Sequence, residues 1–140
     1  MLFRSDRQLA LVSGEGLVLG TPVGEIDVRQ AFRPVRFAGE TSVVSRLEAG
    51  PVEVVNLIGD RSRVSIGLCC LSDGATNTCP AGVHIIYAAT SSCELMINDK
   101  ACVIAAGHAA RIDAGENFAV ASHFGTAIVA GIIPVARTSG

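Results

Sequence analysis

Tryptophan is absent from this 140-residue chain, tyrosine occurs once, and aromatic residues reach only 4%. Charge is sparse too: Asp, Glu, Lys and Arg together make up 17%, against about a quarter in ordinary soluble domains. Eleven basic residues are scattered among thirteen acidic ones, for a net charge of −2. No basic block interleaved with aromatics exists, so nucleic acid is not an expected partner. Histidine is limited to His84, His108 and His123, which form neither H-x-H nor H-E-x-x-H. A catalytic zinc or iron centre needs about three converging ligands, so no metal or other cofactor is expected. His108 reads as a turn residue and the other two as partly buried polar groups. The five cysteines (Cys69, Cys70, Cys79, Cys93 and Cys102) are odd in number and contain no C-x-x-C. They read as reduced thiols used as small buried hydrophobes. No G-x-S-x-G elbow is present, so no catalytic nucleophile is expected. The glycines Gly14-x-Gly16-x-x-x-Gly20 miss the dinucleotide fingerprint by one residue and precede no helix, which excludes phosphate cradling.

Amphipathic helices are missing as well, since no window carries a clean 3.6-residue period. From Met1 to Arg7 there are charges where a signal peptide needs an apolar run. The uncharged stretch from Asn117 to Ala136 contains Pro134 and breaks at His123-Phe124-Gly125. It reads as two buried strands rather than a membrane span. The expectation is a cytoplasmic protein with no membrane partner.

What the chain has is hydrophobic content, 49%, and 15 glycines, a mixture suited to many short strands and tight turns. Arg63-Val64-Ser65-Ile66-Gly67-Leu68 alternates with the period of two that marks a half-buried strand. Thr41–Leu47 and Val52–Ile58 are β-branched runs joined by Glu48-Ala49-Gly50-Pro51, a natural turn. Gln8–Val12 and Leu17–Leu19 flank Ser13-Gly14-Glu15-Gly16, which reads as a hairpin loop. Further strands are expected at Ile26–Val28, Val35–Phe37, Val83–Ala88, Glu94–Ile97, Ala101–Ile104, Ala109–Ile112, Phe118–Ala121 and Thr126–Ile133. The longest polar connection, Ser72 to Gly82, divides the chain into two β-rich halves, 1–71 and 72–140, expected to pack as one unit. The class is therefore all-β, a barrel or sandwich. Asp60-Arg61 and Asp99-Lys100 read as solvated turn charges. Arg7, Arg36 and Arg46 are candidates for binding a carboxylate, and position alone does not select among them.

Three blocks in order carry a family resemblance. Phe3-x-x-x-Arg7-x-Leu9-x-Leu11-Val12-x-Gly14-x-Gly16-Leu17-x-Leu19 is followed by Pro34-Val35-Arg36-Phe37-Ala38-Gly39-Glu40. Leu47-Glu48-Ala49-Gly50-Pro51-Val52 then leads to Asn56-Leu57-Ile58. This order resembles the HutD/Ves family, with Leu95-x-x-Asn98-Asp99-Lys100 and Gly107-His108 matching its later spacing. The resemblance implies a cupin-like (double-stranded β-helix) fold of two halves, without the metal-binding set of enzymatic cupins. It also implies a non-enzymatic regulatory protein linked to histidine utilisation that binds a small carboxylate metabolite, such as a formylglutamate- or urocanate-like compound. Arg7, Phe37 and Asn56 are the ligand-binding residues it points to.

The sequence departs from the family at Arg4-Ser5, at Val54-Val55 and at Ile58-Gly59-Asp60-Arg61, and its motifs begin at the family's later part. The first half is accordingly expected to lack N-terminal strands. That would leave Gln8–Val12 as a bare edge on which a homodimer could form. Two other readings stand beside the regulatory one. One is a metal-independent isomerase or lyase using His84 or another pocket side chain as acid-base. The other is a truncated, ligand-free relative acting as an assembly subunit.

Overall fold

The computed structural model describes residues 4–135, and they form strands, turns and bends. The first six strands are β1 (Ser5–Ser13), β2 (Leu17–Thr21), β3 (Gly24–Val28), β4 (Val35–Ala38), β5 (Val44–Leu47) and β6 (Glu53–Asp60). Eight more follow: β7 (Val64–Leu71), β8 (Thr76–Cys79), β9 (Gly82–Tyr87), β10 (Cys93–Ile97), β11 (Lys100–Ile104), β12 (Ala109–Ala114), β13 (Phe118–Phe124) and β14 (Ala127–Pro134). They assemble into four antiparallel sheets ordered β4-β1-β6, β3-β2-β5, β12-β9-β14-β7 and β11-β10-β13-β8. No helix among the described residues is long and apolar enough to cross a membrane.

Side-chain alternation explains how the sheets stack. Along β1, Leu9 and Leu11 join Leu17, Leu19 and Val28 in one core. Ala10 and Val12 point the other way, into a second core with Leu68 and Ile128. On β14 the arrangement repeats, with Ile128 in that middle core and Ala127 and Val129 in a third, alongside Ile86, Leu95 and Val120. Strands with both faces covered read as unbroken apolar runs, and Leu9–Val12 and Ala127–Val129 are buried without a gap. The sheets therefore lie as four layers with three apolar interfaces. The all-β, cupin-like organisation is present as two halves of facing sheets, and among the described residues neither half closes into a continuous barrel.

Several pairings differ from expectation. β1 and β2 are not a hairpin: β1 pairs with β4 and β6, while β2 pairs with β3 and β5. The loop between them instead carries the chain from one layer to the next. Gly14 and Gly16 there hold φ of 97° and 98°, and a Cβ at either would strike the Pro51 carbonyl or the Arg29 backbone. β1 is thus an interior strand, and the bare edge invoked for a homodimer through Gln8–Val12 does not exist. β8 falls inside the polar stretch Ser72 to Gly82, expected to be a connection, yet it pairs with β13 and buries Cys79. β7 precedes the division expected at 71/72, yet it hydrogen-bonds along its length to β14 and so belongs structurally with the second half.

Candidate functional site

Arg7 lies in β1 directly opposite Phe37 of β4 on one side and Ile58 of β6 on the other. Cross-strand partners share a face, so guanidinium and ring meet, with Arg7 Cζ 4.9 Å from the Phe37 ring centroid. Arg7 Nε is buried and, among the described residues, has no hydrogen-bond partner. The acids around it are engaged elsewhere. Arg61 donates from Nε to Asp6 at 2.8 Å, from Nη2 to the Ser5 carbonyl at 2.9 Å and from Nη2 to Glu40 at 3.3 Å. The Ser5 backbone N–H, reinforced by Arg61, holds the Glu40 carboxyl below its ordinary value. Arg61 is therefore a clasp joining the ends of β1, β4 and β6, not the solvated turn charge expected. Beside Arg7 is a cavity of about 330 Å³ lined by Asp6, Gln8, Arg36, Phe37, Ala38, Ser65 and Ile66.

Asn56 is exposed on β6 opposite Leu9, on the face that carries Arg7 and Phe37. It does not line their cavity. It borders a separate, apolar hollow of about 300 Å³ with Val55, Leu57, Tyr87 and Ile128. The structure thus brings Arg7 and Phe37 together and sets Asn56 apart on the same sheet. Of the other two arginines, Arg46 is spread over Glu25 and Glu48 at the surface, and Arg36 is exposed on β4.

A third cavity, about 290 Å³, opens at the edges of β7 and β8. Gln8 and Arg36 stand at it from the first half; Gly67, Cys69, Asn77, Cys79, His84 and Gly131 line it from the second. Asn77 Nδ2 donates to Cys69 Sγ at 3.4 Å, linking the two sheet edges. Gln8 supplies β7 with what a neighbouring strand would: its amide donates to the Ile66 carbonyl at 3.1 Å and accepts from Leu68 N–H at 2.7 Å. His84 is 2% exposed, with Nε2 2.8 Å from the Pro80 carbonyl and its ring edge-on to Phe118 at 5.0 Å. His123, expected to be partly buried, is exposed at the end of β13. His108 accepts Ala88 N–H through its backbone carbonyl, at the turn before β12. No group of three or more His, Cys, Asp or Glu among the described residues is placed to hold a metal ion.

The thiols are free. Cys69 and Cys70 point to opposite faces of β7, packing against the third core and the middle core respectively. Burial raises both, Cys70 up to about 11 with Cys69 adding to the effect. Protonated, they are walls rather than nucleophiles.

These features define an all-β, cupin-like protein with ligand-sized cavities at its sheet edges and, at one of them, a guanidinium nitrogen that is unpaired among the described residues. The family model named HutD matches residues 3–129, and the chain belongs to that family. No curated protein matches it. Solved structures that share its fold include two from Pseudomonas. One is the conserved protein of unknown function PA5104 from Pseudomonas aeruginosa PAO1, with TM-score 0.76 at 18% identity over 94% of this chain and 73% of that one. The other is HutD from Pseudomonas fluorescens SBW25, determined in a formate condition, with TM-score 0.75 at 17% identity over 94% and 70%.

Sequence reasoning missed Gly67, Gly131, Gln8 and Asn77 as cavity residues. The available signal was the pair of glycines interrupting two otherwise apolar strands, a mark of close approach.

Proposed function

We propose that this chain is a non-enzymatic regulatory protein of histidine utilisation that binds a small carboxylate metabolite, formylglutamate- or urocanate-like, at Arg7. The observation carrying this reading is the Arg7 guanidinium, stacked on Phe37 with its Nε buried and unpaired among the described residues. A buried donor without a partner is costly, and a planar fork beside a cavity suits a carboxylate, which can accept two parallel N–H bonds. Phe37 serves as the platform that fixes the fork, and Asn56, bordering a different hollow, takes no part in this contact.

Calorimetric titration with formylglutamate and with urocanate tests it. A charge-assisted hydrogen bond contributes about 1.5–3 kcal/mol, or roughly 10- to 150-fold in affinity. Arg7→Ala should weaken binding by that order, and Arg7→Lys should weaken it as well because the fork is lost. Equal affinities for wild type and Arg7→Ala would remove Arg7 from the site.

A further inference from the structure

We propose that the second half holds a separate small-molecule site, built over Gly67 and Gly131 at the edges of β7 and β8. Its ligand is a compact carboxylate that also bears an N–H donor, the donor received by His84 Nδ1 and the carboxylate by Arg36.

A row of three residues makes the space. Gly67 of β7 pairs with Gly131 of β14, which pairs in turn with His84 of β9. Cross-strand partners share a face, so two bare backbones lie beside the imidazole on the inner side of the sheet. Packing explains only one of the glycines. A Cβ on Gly131 would come within 2.9 Å of His84 Cε1 and 3.0 Å of Nδ1, whereas a Cβ on Gly67 would meet nothing within 4 Å. Gly131 therefore makes room for the ring, and Gly67 makes room for something else.

The imidazole specifies the ligand's polarity. A carbonyl only accepts, so the 2.8 Å contact with Pro80 O places the proton on Nε2. In that tautomer Nδ1 is left as an acceptor, buried and without a partner among the described residues. A group of this kind calls for a donor. Arg36 forms no ion pair among the described residues, and it lines the same cavity together with Gln8. Cys69 and Cys79, kept as thiols by burial, add no charge to the wall. With a volume of about 290 Å³, the cavity matches roughly ten waters at ~30 Å³ each, the size of a small N-acyl amino acid.

The experiment titrates N-acetylglycine, N-acetyl-β-alanine and N-acetyl-γ-aminobutyrate into protein labelled with ¹⁵N at histidine. Each is compared with the acetoxy acid in which oxygen replaces N–H. At least one N-acyl acid should move the His84 Nδ1 resonance, and its ester counterpart should bind at least about tenfold more weakly. Gly67→Ala, whose methyl has free space, keeps the fold and should weaken binding; Gly67→Val should abolish it; Arg36→Gln should reduce it. Arg7→Ala should leave it unchanged, which separates this site from the first. The proposal is overturned if none of the three acids shifts the His84 resonance at millimolar concentration. It is equally overturned if amide and ester bind alike, if the Gly67 variants bind as wild type does, or if Arg7→Ala abolishes the binding.

Discussion

At the scale of single residues, the informative groups are those whose partners do not come from their own strand. Gln8 covers two backbone groups of β7, sixty positions away for Leu68, and so masks part of an edge that would otherwise be open to pairing. The thiols behave as hydrophobes with a titration attached. For a group raised above its unfolded value, the stabilising contribution is full below that value and disappears as pH climbs through the folded one. With Cys70 moved from 9.0 to about 11, stability under reducing conditions should hold to about pH 9 and then decline toward pH 11. Urea midpoints across that range check this, and Cys70→Ala should flatten part of the decline. An identical decline in the variant would assign it to other groups. Iodoacetamide at pH 8 should label Cys70 far more slowly than a free thiol, since the thiolate is the nucleophile.

Among the elements, β1 carries the most structural weight because it belongs to two cores at once. Leu11 and Ala10 are adjacent and almost fully buried, 1% and 0% exposed, on opposite faces. Leu11→Ala should cost about 2–5 kcal/mol by leaving a cavity. Ala10→Leu should cost about 1–3 kcal/mol by overfilling the gap between β1 and the β12-β9-β14-β7 sheet. Urea denaturation measures both. A cost below about 0.5 kcal/mol, the range of surface substitutions, would mean that the face concerned is not packed. β8 shows the opposite case, a polar strand whose inward contribution is limited to Asn77 and Cys79.

As a whole molecule, the protein is a stack in which the middle interface decides cooperativity. Ala10, Val12, Leu68 and Ile128 tie the two halves through strands that also line the outer cores. Neither half can lose its fold without exposing a face of the other. Calorimetry should therefore show one transition, with the calorimetric and van't Hoff enthalpies in agreement. Leu68→Ala should lower the midpoint of that single transition. Two resolved transitions, in wild type or in the variant, would establish independent halves.

Strand positions were legible in the sequence because alternation and turn chemistry are local properties. Arg63–Leu68, Phe118–Ala121 and Thr126–Ile133 announce themselves by period and by flanking turns, and the all-β class follows from their number. Arg7 was singled out only through the ordered motifs around it, since nothing local distinguishes it from Arg36 or Arg46. Pairing was settled by the tertiary structure. Hydrogen-bond partners such as β1 with β6, or β7 with β14, lie tens of residues apart, and no local pattern encodes which strand comes alongside. The same long-range packing engaged Arg61 with Asp6 and Glu40, left Arg7 Nε without a partner among the described residues, and turned β8 from loop into strand. It also aligned Gly67, Gly131 and His84 across three strands, because a row perpendicular to the chain exists only once the sheet has formed.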